Sequence, residues 1–311
     1  MKVVSLFSGA GGLDLGFVRA GHEIVWANDL YEDAVATYRK NIGNHIVCED
    51  ISNISADNIP DCDIVIGGFP CQGFSVANTK RHIGDERNEL YKQLIRIITA
   101  KKPKFFLAEN VKGLTNLAKG AVFKMIINDF TSMGYKVSYK VLNAADYGVP
   151  QTRQRVIIVG VRDDIDWEYT FPKPTNTQGG SEILPNWISV SQALADIPDP
   201  DLPNDMLNHT YSKYKLNING YLGHRLLDPE KPAPTVTARG DSKGGVVIHP
   251  HPNGLRRMSC RELATVQSFP LTFEFCGNNS SVYRQIGNAV PPLLGYAVAK
   301  EFNKYGGEDF V

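Results

Sequence analysis

One cysteine sits in unusual company. Cys71 lies in the run Gly68-Phe69-Pro70-Cys71-Gln72-Gly73-Phe74-Ser75, directly after the apolar stretch Cys62 to Ile66. A thiol in a Pro/Gly-rich loop at the carboxyl end of a strand is not a typical core cysteine. The position offers exposure and backbone N–H groups that favour the thiolate, the form that attacks carbon. Further on, the strand-like run Phe105-Phe106-Leu107-Ala108 ends in Glu109-Asn110-Val111. A carboxyl group at the end of a buried strand loses hydration, which raises its pKa and lets it hold a proton near neutrality. Gln151-Thr152-Arg153-Gln154-Arg155 then alternates two arginines before another apolar run; the plain reading is a charged strand edge. Near the start, Phe7-Ser8-Gly9-Ala10-Gly11-Gly12 joins a strand-like run to a helix-like one. Such a turn lets a ligand approach the backbone and aims helix N–H groups at it, although tight structural turns use glycine too. Asp29 follows the second strand, where a carboxylate accepts hydrogen bonds from ribose hydroxyls, and Asp50-Ile51 is placed to face an adenine edge.

These groups need a scaffold that brings strand ends together. Strands are expected at Lys2 to Phe7, Glu23 to Ala27, Cys62 to Ile66, Lys104 to Ala108, Tyr135 to Leu142 and Val156 to Val161. Helices are expected at Leu13 to Ala20, Asp33 to Asn41, Leu90 to Thr99 and Val122 to Met133. The alternation predicts an α/β fold with a doubly wound, mostly parallel sheet, whose ligands sit at the carboxyl ends of the strands. Prolines cluster and periodicity fades after Asp163, so residues 166–280 are read as a smaller irregular domain after a catalytic and cofactor-binding domain at 1–165. Residues 281–311, with an amphipathic helix at Leu293 to Phe302, are expected to return to the first domain.

The 311 residues, 42% apolar and 21% charged, describe an ordinary globular protein. No run approaches the roughly 18 apolar residues of a membrane span, and the N-terminus lacks the apolar region of a signal peptide. The cytoplasm is the expected compartment. Five cysteines without a CxxC pair argue against a zinc site or a disulfide framework, and no metal is expected. Lys+Arg and Asp+Glu balance at 33 each, but residues 163–205 carry nine acids against Lys173 alone. Residues 213–261 carry nine Lys/Arg against three acids, a local net of +6. That segment is either a solvated face or a phosphate-binding surface.

The motifs Phe7-x-Gly9-x-Gly11-Gly12, Pro70-Cys71-Gln72, Glu109-Asn110-Val111, Gln151-x-Arg153-x-Arg155, Arg257 to Pro270 and Gln285-Ile286-Gly287-Asn288-Ala289-Val290-Pro291 occur in that order. Together they resemble the motif set of the DNA cytosine-5 methyltransferases, and 3–17 and 105–113 resemble the short bacterial members of restriction–modification systems. The likeness spans nearly the whole chain outside about 170–255. It implies a Rossmann-like fold using S-adenosylmethionine, released as S-adenosylhomocysteine. The implied cofactor contacts are Phe7, Gly9, Gly11, Gly12, Asp29, Leu30, Asp50, Ile51, Pro70 and Asn288. The implied chemistry is attack of Cys71 on C6 of a flipped cytosine, with Glu109 at N3 and the amine, Arg155 at O2 and Arg153 supporting the loop. Gln72, Ser75, Arg225, Thr235, Val236, Arg239 and Lys243 are the candidate DNA contacts, Thr235-Val236 resembling the family's Thr-Val element. The implied partner is double-stranded DNA, met by a monomer, with a cognate restriction endonuclease as functional counterpart. Arg257 to Pro270 is implied to be a scaffold for the recognition region, in which Arg261 and Glu262 are expected to pair within the fold, and Cys260 and Cys276 to be structural. Two residues depart from the pattern: Phe69, where many relatives carry proline, and Leu30, where many carry an aromatic. Rival readings are an RNA cytosine-5 methyltransferase with the same motifs, a DNA-binding protein that has lost catalysis, and a nicotinamide dehydrogenase built on the Gly-rich turn.

Overall fold

Among the described residues, seven strands form one sheet in the spatial order Ile46–Cys48, Glu23–Asp29, Lys2–Leu6, Ile64–Gly67, Phe105–Val111, Gln154–Arg162 and Tyr135–Asn143. The computed structural model describes residues 1–70, 90–213, 215–220, 224–238 and 248–307. The strands are β1 (Lys2–Leu6), β2 (Glu23–Asp29), β3 (Ile46–Cys48), β4 (Ile64–Gly67), β5 (Phe105–Val111), β6 (Tyr135–Asn143) and β8 (Gln154–Arg162). The pairs β1–β2, β2–β3, β1–β4 and β4–β5 are parallel, and only β8 runs against its neighbours β5 and β6. The sheet is therefore mostly parallel and doubly wound, as the strand–helix alternation predicts. Strand β1 pairs with β2 on one side and β4 on the other, so the chain reverses its winding direction at β1 and opens a crevice at the strand ends there.

Alternation of side chains builds both faces. On one face, Val3, Ile64, Ile66, Phe105, Leu107, Ile157, Val159 and Val161 join a common core. The intervening residues Val4, Leu6, Val65, Phe106, Ala108, Val156 and Ile158 join the core of the other. Helices α1 (Gly12–Arg19), α2 (Glu32–Asn41) and α8 (Pro292–Lys300) contribute to the first core, and α3 (Leu90–Lys101) and α4 (Ala121–Ser132) to the second. Helix α8 lies against α1. The approach is close: a Cβ on Gly16 would lie 2.4 Å from the backbone of Gly295 and Tyr296.

A third core gathers residues from the irregular part of the chain. It joins Val190 on α5 (Val190–Leu194), Ala233 on β9 (Ala233–Pro234), Met258, helix α6 (Cys260–Val266), Phe269, Phe273, Phe275 and helix α7 (Asn279–Asn288). Ala10 of the Gly-rich turn packs into it, so this core touches the sheet's carboxyl end. The two-residue strand β7 (Gln151–Thr152) pairs in parallel with β9 and fastens the two parts together. Among the described residues, no helix is long and apolar enough to cross a membrane.

Several elements differ from the sequence expectation. Strand β5 does not stop before Glu109: it runs to Val111, because β8 goes on pairing with it as far as the Val111–Arg155 register. Helix α6 starts at the expected place, capped by the reciprocal Ser259–Glu262 capping box. Arg261 and Glu262 find their partners within the fold as expected, though not in each other. Arg261 donates to the carbonyls of Leu207, Pro270 and Phe273, while Glu262 receives a bidentate pair of bonds from Arg256. Burial of the Cys260 thiol pushes its pKa to about 12, which suits a structural cysteine.

Candidate active site

The Gly-rich turn leaves β1 in a tight conformation: Phe7 and Gly9 both take left-handed φ angles of 56°. The Gly9 N–H points at Asp29, donating to Oδ2 at 2.7 Å, and Tyr31 N–H donates to Oδ1 at 2.9 Å. Burial raises the Asp29 pKa, and the backbone donors from Tyr31, Gly9 and Leu30 oppose it. Gly12 begins α1 against the turn after α7: a Cβ there would lie 2.3 Å from the Val290 carbonyl oxygen and 3.2 Å from Ala289 Cβ. The Asn288–Val290 segment thus returns to the Gly-rich turn, with Asn288 exposed at the end of α7. Leu30 is 58% exposed and Ile51 is buried in the core. Asp50 caps the turn that follows it by accepting from Ser52 N–H and hydroxyl at 2.8 and 2.7 Å, which lowers its pKa. The structure brings Phe7, Gly9, Gly11, Gly12, Asp29 and Asn288 to the crevice at β1.

The second cluster forms where β4, β5 and β8 end. Glu109 and Arg155 are both buried and meet with Nε 2.8 Å from Oε1. Burial raises the Glu109 pKa; the positive charges of Arg155 and Arg153 pull the other way. The Glu109 Oε2 atom lies so near the β4 end that a Cβ on Gly68 would be 3.0 Å from it. Asn110 Nδ2 donates to the Phe69 carbonyl at 2.9 Å, which ties the Gly68-Phe69-Pro70 segment beside Glu109. Phe69 itself turns into the core, its ring 6.2 Å from that of Tyr91. Cys71, Gln72, Ser75, Arg239 and Lys243 lie outside the described residues. Pro70, half-buried, is the last residue described before Cys71.

The alternating arginines are not a charged strand edge. Arg153 is fully buried and donates to the carbonyls of Val236 at 2.7 Å and Gly287 at 2.9 Å. Burial, then the like charge of Arg155, push its guanidinium well below the usual arginine range. Gln151 accepts from Val236 N–H at 2.9 Å and donates to Gln267 at 2.7 Å; Gln267 continues to the Ile286 carbonyl. Thr235 donates its hydroxyl to the Thr152 carbonyl at 2.9 Å. The Thr235-Val236 element is therefore anchored to β7 and α7 by three neighbouring residues. Val236, expected as a DNA contact, is 1% exposed and belongs to the third core; its part is to seat Thr235. Arg153 acts through other residues as well, as a positioning group. Arg225 is exposed on the surface. The roles of Asn110, Gln151 and Gln267 as ties are absent from the candidate set. Their only sequence signal is polarity inside motifs whose partners lie far away in the chain.

A buried carboxyl beside a guanidinium, at a strand end next to a glycine turn, suits hydrogen bonding to a planar heterocycle. The sequence profile of the C-5 cytosine-specific DNA methylases matches residues 1–304. The chain belongs to that family. It is a DNA cytosine-5 methyltransferase. It is 43% identical to the Type II methyltransferase M.NgoFVII of Neisseria gonorrhoeae, over 96% of this chain and 85% of that protein. To the Type II methyltransferase M.BspRI of Lysinibacillus sphaericus it is 37% identical, over 99% of this chain and 82% of that one. Its fold matches the crystal structure of a prophage-encoded E. coli protein described as a DNA modification methyltransferase. The TM-score is 0.76 at 25% identity, covering 99% of this methyltransferase and 100% of the other.

Proposed function

We propose that this methyltransferase uses S-adenosylmethionine, flips its target cytosine out of double-stranded DNA and attacks it with Cys71. The observation that carries the reading is the buried Glu109–Arg155 pair facing the Gly68–Pro70 segment that leads into Cys71. The residues at the β1 crevice fit the cofactor. Asp29 keeps carboxylate lone pairs beyond those used by Gly9 and Tyr31, which suits a ribose diol, and Leu30 exposes an apolar surface that a purine would cover. When bound, the cofactor supplies a methyl group carried on a sulfonium and leaves as S-adenosylhomocysteine.

The chain's own residues then set the reaction. C5 of cytosine is a weak nucleophile. Addition of the Cys71 thiolate to C6 forms an S–C6 bond and gives C5 enamine character. Glu109 bonds N3 and the exocyclic amine, stabilising the charge that develops there, and its raised pKa helps it hold a proton at N3. Arg155 holds O2 while Arg153 keeps the Thr235 element in place. After C5 has taken the methyl group, a base removes the C5 proton, the electron pair re-forms the C5–C6 double bond and Cys71 leaves. Extruding the base from the duplex costs a few kcal/mol, which phosphate contacts from the +6 segment would offset.

We retain 1–165 as the catalytic part, 166–280 as target recognition and 281–311 as the returning segment; the third core and the packing of α8 on α1 support this division. A monomer acting in the cytoplasm, with a cognate restriction endonuclease, completes the reading. It is supported by likeness to Type II methyltransferases. The test is transfer of labelled methyl from S-adenosylmethionine to unmethylated duplex DNA, wild type beside Cys71→Ser. Label at cytosine C5 with wild type alone is the expected result, and sequencing that DNA gives the site. Label on tRNA and not on DNA would overturn it.

A further inference from the structure

Beyond the Glu109–Arg155 pair the crevice continues into a cavity of about 500 Å³. Arg155 and Thr235 of the candidate site line it, and so do Lys112, Gln154, Asn143 and Trp187. None of these last four belongs to the catalytic or cofactor set above. Their chemistry is mixed in a telling way. Trp187 presents a half-buried indole whose orientation is fixed, because Nε1 donates to Asp146 Oδ1 at 2.9 Å. Asn143 Oδ1 is buried and has no hydrogen-bond partner. Lys112 stands at the rim as a cation, donating to Gln154 Oε1 at 2.9 Å.

A flat aromatic wall, an amide and a rim cation match the face of a base, its edge and a phosphate. The indole can stack on a base, the amide can bond a base edge with its oxygen or nitrogen forward, and the ammonium can meet a phosphate. The cavity shares Arg155 and Thr235 with the candidate target site, so a nucleotide occupying it would be a close neighbour of the target cytosine. We propose that this cavity is a second nucleotide subsite, in which Trp187 stacks on the base flanking the target cytosine in the same strand and Asn143 bonds its edge. The assignment rests on the reading of the neighbouring site as the target-cytosine pocket. It makes Trp187 and Asn143 specificity residues, located before the basic segment begins in sequence.

The test is a cycle of binding measurements on duplexes carrying the methylated site found by sequencing. Affinities are compared for the intact duplex, for duplexes abasic at the 5′ or the 3′ neighbour of the target cytosine, and for one abasic at the target itself. Trp187→Leu should weaken binding of the intact duplex about tenfold, equivalent to about 1.4 kcal/mol. It should have no effect on the duplex abasic at one of the two neighbours, and Trp187→Phe, which keeps an aromatic face, should retain most of the affinity. Asn143→Ala gives a second arm, with a loss confined to the same neighbouring position. Quenching of Trp187 fluorescence, taken as the wild-type signal less that of Trp187→Phe, should vanish with that same duplex. Equal weakening on every duplex would overturn the assignment, as would coupling only to the target position. Normal methyl transfer with no coupling would remove this assignment alone. Absence of both DNA binding and methyl transfer in the unaltered protein would remove the target-site reading and this one with it.

Discussion

Arg153 offers the sharpest single perturbation, because its guanidinium bridges two elements with different tasks. One bond reaches Val236, beside the Thr235 element, and the other reaches Gly287, beside the Asn288–Val290 turn that packs on Gly12. Replacing Arg153 with Met keeps the length of the side chain and removes both donors. Each buried carbonyl left unsatisfied costs about 1–3 kcal/mol, so the two together cost about 4 kcal/mol. Against this stands relief: Arg153 Nε has no partner, and the charge is buried near Arg155. Removing a poorly compensated buried charge returns about 1 kcal/mol. The expected net loss is therefore about 3 kcal/mol, read from urea midpoints at constant m-value. The variant should also lose about fivefold in affinity for S-adenosylmethionine and for DNA together, since one group holds both elements. Arg153→Lys, which can reach one carbonyl, should fall between. A loss below about 1 kcal/mol, or a fall in only one of the two affinities, would refute the bridging role.

Asp14 is fully buried, accepting from Ser5 at 3.0 Å and Tyr38 at 2.9 Å, and burial raises its pKa from 3.8 to about 6. The folded state then binds the proton more tightly than the unfolded chain, so stability falls as pH rises from about 4 to about 6. The loss is about 3 kcal/mol once Asp14 is ionised. Asp14→Asn lacks this titration, and the gap between its unfolding curve and that of wild type should swing by that amount between pH 4 and pH 7; parallel curves would refute it. Gly12→Ala would drive a methyl group to 2.3 Å from the Val290 carbonyl, so melting temperature and cofactor affinity should both drop, and calorimetry showing neither would exclude the close packing. Glu109→Gln keeps the shape of the side chain but not its charge. It should cut the methylation rate by about 10²–10⁴ with DNA binding largely retained, and a rate within tenfold of wild type would deny Glu109 its part at N3.

Continuous apolar runs mark β1, β4, β5 and β8 because each strand is buried on both faces, and the polar residues that end those runs mark where the strands reach the candidate site. Glu109 is legible for that reason, although the length of β5 is not: its last residues owe their strand conformation to pairing with β8. Gln151 and Arg153 show the limit more clearly. Their partners at 236, 267 and 287 lie 83 to 134 residues away, and a side chain satisfied by a remote carbonyl leaves no periodic trace. The pairing of β7 with β9 involves two residues on each side and has no pattern of its own. Asp14, set in the run Gly12-Leu13-Asp14-Leu15-Gly16, looks like an ordinary helical acid until its hydroxyl partners are seen. Leu30 stands where many relatives carry an aromatic, and its exposure fits an apolar contact smaller than an aromatic ring.

The packing of α8 on α1 also bears on how the chain is made. The helix that covers α1 follows the Gly-rich turn in the chain only after the whole sheet and most of the third core have been synthesised. Until residues 292–300 emerge, the Gly16 surface has no partner and the turn lacks the support of Val290. A chain arrested after Arg155 but before residue 292 would carry Cys71, Glu109 and Arg155 without the helix that backs the Gly-rich turn, so the proposed cofactor crevice would be completed only late in synthesis.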